Sequence, residues 1–373
     1  MRFWLVIAII SAFQAKAAIT LQADAYHVYP GDRIQEALDR AATNKITKTV
    51  VVHTGEYRPD TKRQAMIWFN KRHDGVRLLA DGKVVLTAAN PQLAQSSDAG
   101  YPAVVNHVVY FGDGISTNTV ISGFRITGAN GFQTRDRTRQ MEPDVTILKN
   151  WFFYSDGGAI KIFGRSYPQI KNIEVFENFA SPCAGGISVQ HMGYTEQTVL
   201  IENCAFLRNS AQATGCAIDL LAGSAARIVN CLFAGNVSNT GDDPVAQKSG
   251  EKPFVNSGVI TIFQQSIAEV RNCTFTKNRN GIDDLGGASV YLNNIFYNNT
   301  LEGPANKGQT RYDLDLREGV REVAGNFFSG ALLDPQKHVS ADNNVLKVKS
   351  PEFDKRNVPQ NPEFKTAGYR PTN

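Results

Sequence analysis

Ile201-Glu202-Asn203-Cys204-Ala205-Phe206, followed by Asn209, recurs as Ile228-Val229-Asn230-Cys231-Leu232-Phe233 with Asn236. Val270-Arg271-Asn272-Cys273-Thr274-Phe275 with Asn278, and Leu292-Asn293-Asn294-Ile295-Phe296 with Asn299, repeat it twice more. The unit is apolar-x-Asn-x-x-Phe-x-x-Asn, then a turn, then a short strand often opened by glycine. Weaker copies centre on Gly123, Asn150, Asn172 and Gly325. Spacings between these landmarks are 27, 22, 31, 27, 42, 21 and 32 residues. A floor near 21 with variable excess describes a fixed coil that carries loop insertions.

A period of that length, built of short strands and turns, specifies a parallel β-solenoid. One coil cannot bury its apolar face alone, so coils stack and bury it together. Asn amides stacked in a tight bend would hydrogen-bond along the column and satisfy backbone groups otherwise buried unpaired. Leucine-rich repeats also use Asn columns, but the Leu-x-x-Leu-x-Leu pattern they need is absent. Upstream, Asp32-Arg33-Ile34-Gln35 reads as a helix start, with Asp32 capping and Gln35 reaching back. Ile34, Ala37, Leu38 and Ala41 then share one helical face. A short strand, Val50-Val51-Val52-His53, follows and ends at the turn Thr54-Gly55.

On these residues the chain resembles the right-handed parallel β-helix family, the pectate-lyase-like superfamily. The helix followed by Thr49-Val50-Val51-Val52-His53-Thr54-Gly55-Glu56-Tyr57 is similar to that family's first coil. Asn361-Pro362-Glu363-Phe364 with Tyr369-Arg370 resembles the tail of many bacterial members. The resemblance implies an all-β, right-handed parallel β-helix solenoid with an N-terminal capping helix. Earlier coils are expected around Val76–Leu79, Val84–Leu86 and Val104–Tyr110. About ten coils at roughly 4.8 Å each make a rod of about 50 Å. The expected organisation is a signal peptide at 1–17, a segment with the capping helix at 18–47, the β-helix at 48–350 and a tail at 351–373.

The N-terminus carries a charged start, an apolar run from Phe3 to Phe13 and the small-x-small site Ala15-Lys16-Ala17. That run is too short to span a bilayer, which takes roughly 20 residues. The expectation is a secreted or periplasmic protein with no membrane insertion of the mature chain. At 42% hydrophobic and 20% charged, the composition excludes a disordered chain. Lys and Arg number 39 against 35 Asp and Glu, and two of the cations, Arg2 and Lys16, fall in the leader. So small a surplus argues against a nucleic-acid partner. A monomer is expected. Cys204, Cys231 and Cys273 share one repeat position with inward parity, so they read as a buried thiol stack. Cys183 and Cys216 sit in turns of consecutive coils, and the spacing leaves open whether they bond. Asn236, Asn272 and Asn298 head Asn-x-Ser/Thr sequons, read as chance because Asn272 would belong to the buried column.

Aligning the glycine-opened strands defines an outward column, Lys161, Ser188, Asp219, Thr261 and Asp283. Beside it run Phe163, Gln190, Leu221 and Phe263, with His191 one step further. The preceding coil would end at Gln133 and Arg135. Insertions at His191-Met192-Gly193-Tyr194 and before Val259, the latter with Asp242-Asp243, would flank the same face. The family's glycan-cleaving members keep their sites on such a row, which implies a polysaccharide partner. Two mechanisms fit it. In a lyase acting on a uronate-containing glycan, Lys161 is the base and Arg135, or a metal near Asp219, neutralises the carboxylate. In an inverting hydrolase, Asp219 and Asp283 supply the two carboxyls, roughly 9.6 Å apart at the backbone by strand spacing. The first is preferred, with Lys161, Asp219 and His191 catalytic. Arg135, Phe163, Ser188, Gln190, Tyr194, Phe263 and Asp283 would bind substrate. Calcium is admitted as a cofactor but not required. The pectin-hydrolase signatures and the calcium-dependent lyase Asp cluster are missing. That absence keeps a non-catalytic glycan-binding or surface-adhesion β-helix as the rival reading.

Overall fold

The computed structural model describes residues 19–98, 100–131, 156–241, 256–302 and 307–347. The signal peptide and tail expected from the sequence lie outside them. From Ala25 onward the chain winds through three strand faces, and within each face the described strands pair in parallel with those of the next coil. The first face rises from Ala25–Val28 through Thr49–Tyr57, Arg77–Thr87, Val120–Ser122, Gln169–Lys171 and Val199–Glu202. It continues through Ala225–Val229, Ile267–Arg271, Ala288–Leu292 and Glu322–Ala324. The second face holds the Phe strands, among them Ala205–Leu207, Leu232–Ala234 and Thr274–Thr276. The third is a separate 9-stranded sheet from Arg63–Phe69 to Ala331–Leu333.

Alternation within each strand fills the interior. Phe206, Phe233, Phe275, Phe296 and Phe328 form a column of stacked rings with centroids 4.9, 4.6, 4.5 and 5.1 Å apart. Cys204, Cys231 and Cys273 lie buried beside it, and all five cysteines are free, Cys183 and Cys216 included. Between the first and second faces, Asn172, Asn203, Asn230, Asn272 and Asn293 all have φ of 53° to 56°. This left-handed conformation suits Asn and Gly. It explains why Gly123 and Gly325, at φ 89° and 70°, replace Asn in the weaker copies.

The buried amide column is the other Asn of the motif. Asn178, Asn209, Asn236, Asn278 and Asn299 stack so that each Nδ2 donates to the next Oδ1, at 3.0 to 3.1 Å. That same oxygen accepts the backbone N–H of the residue below. A second column, Asn294, Asn326 and Asn344, continues where the cysteines stop. Asn272 is therefore a half-exposed turn residue, not a column member. The reading that dismissed its sequon as buried is corrected, and Asn236 is the buried one.

Other expectations change too. The helix is Ile34–Thr43, capped at Arg33 without a side-chain bond. Asp32 accepts the Tyr29 N–H instead, and Gln35 clasps the Trp68 backbone across a coil. An antiparallel hairpin, Thr20–Gln22 with Ala25–Val28, precedes it. The strand at Val50 does not stop at Gly55 but runs to Tyr57, turning the corner by a register shift. Asn150 lies outside the described residues, and on the first face Val120–Ser122 pairs directly with Gln169–Lys171.

Two outcomes check this architecture. Asn236→Ala strips partners from the buried N–H and Nδ2 of Asn209 and from the Phe206 and Asn278 oxygens and should cost about 2–4 kcal/mol in chemical denaturation, whereas Asn230→Gly, at φ 54°, should change stability by less than about 1 kcal/mol. Equal losses would remove the distinction between the two Asn positions. All five thiols should resist a thiol reagent in native buffer and react fully after denaturation.

Candidate functional site

On the third sheet the outward row is continuous: Trp68, Tyr110, Lys161, Ser188, Asp219, Thr261, Asp283 and Asp315 stand in register. The coil below Lys161 contributes Tyr110 to the row, and Gln133 lies outside the described residues. Arg135 lies outside the described residues, as do Asp242 and Asp243. The row is not a solvated face. Lys161, Ser188 and Asp219 are each 0% exposed.

Lys161 donates from Nζ to Ser188 Oγ at 3.0 Å. Around the pair lie three side chains that sequence reasoning missed: Asp156, Cys183 and Thr214. Each stands five residues before a row member, Lys161, Ser188 and Asp219 respectively, and opens the turn into that strand. The next residue, Gly157, Ala184 or Gly215, has φ of 81°, 50° or 50°. A Cβ on Gly215 would come within 2.6 Å of Asp219 Oδ1, so the small residue lets the turn fold onto the carboxylate. Thr214 Oγ1 lies 3.3 Å from both oxygens of Asp219 and 3.1 Å from Cys183 Sγ. Asp156 Oδ1 accepts the Cys183 N–H at 3.0 Å. His107 fixes this floor by donating from Nδ1 to Gly157 O while Nε2 accepts from Gln64. The five-residue offset, repeated in three coils, was the signal available in the sequence.

Burial dominates the electrostatics. It drives the Lys161 amine below its ordinary range, against the opposing pull of Asp156, Asp219 and Cys183. It drives Asp219 well up, with the charges of Asp156 and Asp283 adding to it. Cys183 also rises through burial and the same two aspartates, Asp156 and Asp219. Amine and carboxyl are both pushed towards their neutral forms. Asp156, Cys183 and Asp219 bring one ligand atom each within 4.8 Å of one another. That set does not fit calcium, which takes six to eight oxygens and no thiolate. A thiolate with two carboxylates is a donor set for a softer ion such as zinc.

The remaining expected site residues separate. His191 is buried, with Nε2 donating to Ser166 O at 2.9 Å and Nδ1 accepting the Ala225 N–H at 3.1 Å. Both ring nitrogens are consumed by backbone, and burial lowers its pKa to about 4, so it ties coils and is not available as a catalyst. Phe163 is not a groove floor but packs on Ala65, Trp68 and Tyr110. Phe263 is half-buried, and Gln190 is buried with Nε2 3.5 Å from Met192 Sδ. Tyr194 is exposed, with the Arg165 guanidinium 4.4 Å over its ring. Asp283 Oδ1 accepts from the Gly258 N–H and Thr261 Oγ1, both at 2.7 Å, which locks it between coils. A surface cavity of about 190 Å³ opens beside the capping helix rather than on the row. Its Arg33, Arg58 and Arg63 are already paired with Asp60 or Glu56.

Asp283 gives a pH test. Burial outweighs its hydrogen bonds and raises its pKa from 3.8 to about 7. The folded state then binds a proton that the unfolded state has released, so the stabilisation is full below pH ~4 and fades as pH rises through ~7. Between those values the wild type should lose up to about 4 kcal/mol relative to Asp283→Asn, at about 1.4 kcal/mol per unit. Parallel stability curves for the two proteins would refute this assignment.

Residues 106–257 match the family model described as the right handed beta helix region. No curated protein matches the chain. Parallel sheets wound over three faces, with a single α-helix among the described residues, give the chain an all-β right-handed parallel β-helix fold, and residues 106–257 are similar to the family of that fold.

Proposed function

We propose that the protein is an exported, carbohydrate-active β-helix, a polysaccharide lyase acting on a uronate-containing glycan. The observation that carries the reading is the buried Lys161 amine set between Ser188, Asp156 and Asp219 on consecutive coils. Elimination needs a base that is unprotonated near neutral pH, which for a lysine means the neutral amine, and an acid for the leaving oxygen. Neutral Lys161 takes the proton α to the uronate carboxylate, the carbon–oxygen bond at the β carbon breaks, and a carbon–carbon double bond forms. Protonated Asp219 gives its proton to the departing oxygen. Groups driven towards neutrality by burial are suited to those two tasks. Arg135 remains the proposed neutraliser of the substrate carboxylate.

The complete burial of Lys161 and Asp219 favours a second reading. In it the cluster cross-ties three coils, and the protein binds glycan or a surface without turning it over.

The test is a panel of pectate, alginate, chondroitin and related polymers, followed at 235 nm for the unsaturated product. Under the lyase reading one polymer gives that absorbance, and Lys161→Ala lowers kcat by at least about a hundredfold. Reducing ends without absorbance would transfer the chemistry to hydrolysis by Asp219 and Asp283. Binding with no turnover selects the second reading. Asp219→Asn should lose activity while retaining the fold, because the amide still accepts from Thr214.

A further inference from the structure

The surface cavity of about 190 Å³ lies where the capping helix meets the first coil. Three segments enclose it: the turn into the helix at 31–35, the corner at 56–60 and the third-face strand from Arg63 to Ile67. Ile34, Tyr57, Met66 and Ile67, all buried, supply its apolar wall. Its volume falls below the roughly 300–1,000 Å³ of sites for drug-sized ligands, so it takes one small ring rather than a chain.

The charges of the wall cancel. Arg33, Arg58 and Arg63 stand against Asp32, Glu56 and Asp60, so the lining carries no net charge. An anion or a cation entering it would give up hydration without meeting a surplus of the opposite sign. The charged groups are nonetheless set in place. Arg33 Nε pairs with Asp60 Oδ2 at 2.7 Å, and Arg63 Nη2 donates to Asp60 Oδ1 at 3.3 Å. One carboxylate thereby joins the start of the helix to the third-face strand. Arg58 Nη1 donates to Ala89 O at 2.9 Å while its Nη2 pairs with Glu56 Oε1. Asp32 Oδ2 accepts the Tyr29 N–H at 2.9 Å. These contacts leave the other edge of three groups open. Among the described residues, Arg33 Nη1 and Nη2 meet no protein acceptor, and Glu56 Oε2 and Asp32 Oδ1 meet no protein donor.

We infer that this cavity is a binding site for a single uncharged sugar ring, separate from the Lys161 row. A pyranose offers C–H faces to an apolar wall and carries hydroxyls at its edge, each of which both donates and accepts. Arg33 Nη1 and Nη2 supply donors, and Glu56 Oε2 and Asp32 Oδ1 supply acceptors, so neighbouring hydroxyls find both kinds of partner. Hydrogen bonds with one ionised member are stronger than neutral ones, which suits a ligand that brings no charge of its own. The site lies on the coil of Trp68, two strand steps below Lys161. It stands whether the row turns glycan over or only ties coils together.

Saturation-transfer NMR titration of the protein with glucose, galactose, rhamnose and N-acetylglucosamine, beside the charged glucuronate and glucosamine, tests it. At least one neutral sugar should bind saturably, and about tenfold or more tightly than either charged analogue. Its affinity should hold between about 0.02 and 0.5 M sodium chloride, because an uncharged ligand leaves no net attraction to screen. Glu56→Gln replaces an ionised acceptor with an amide and should weaken binding about tenfold or more. Asp60→Asn loosens Arg33 and should act in the same direction. Both side chains are half-exposed, so the two variants should melt like the parent. Lys161→Ala should leave the sugar affinity unchanged, so failure of the lyase reading would not touch this result. Loss of binding in Lys161→Ala would move the sugar to the row and overturn the inference. So would no saturable binding by any neutral sugar of the panel, tighter binding of a charged analogue, or unaltered affinity in both Glu56→Gln and Asp60→Asn.

Discussion

Asn209 donates from Nδ2 to Asn236 and to the Val175 carbonyl while its own oxygen takes the Asn178 backbone N–H. One side chain thereby settles hydrogen bonds in three coils inside a bend that water does not reach. A parallel solenoid has no antiparallel hairpins to turn its corners, so the corner backbone must find partners in the coils above and below. The amide column meets that demand at every step from Asn178 to Asn299, where it hands over to Asp313. The rest of the structure follows from this constraint. With the corner pinned in height, the strands on either side keep register, and the Phe rings stack at 4.5 to 5.1 Å.

The same register creates the candidate site. A column of outward side chains on a parallel sheet repeats at about 4.8 Å, close enough for one charge to be felt by the next. In this chain the column carries Lys161, Ser188 and Asp219, and the turn residues five positions earlier fold over to join them. The cluster is a product of stacking. No single coil holds two of its charged groups apart from the coil of Asp156 and Lys161. Burial then sets the proton affinities, and the carboxyl and amine move in opposite directions towards neutrality. That is why the row supports both proton-transfer chemistry and a purely cohesive role.

The repeat by itself determined the solenoid, the coil spacing, the inward Phe and Cys columns and the row that begins at Lys161. These depend on which residues alternate along a strand, and alternation is written locally. Which Asn is buried was not written there. Both Asn positions recur with equal regularity, and only the fold shows that one needs a left-handed turn and the other a partner in the next coil. His191 looked reactive because its two backbone partners, Ser166 and Ala225, lie 25 and 34 residues away. Asp156, Cys183 and Thr214 were not read as site residues because they sit in turns, outside the strand alternation that defined the row. Local sequence set the direction of each side chain, and only the stacking of distant coils decided what it meets and whether water reaches it.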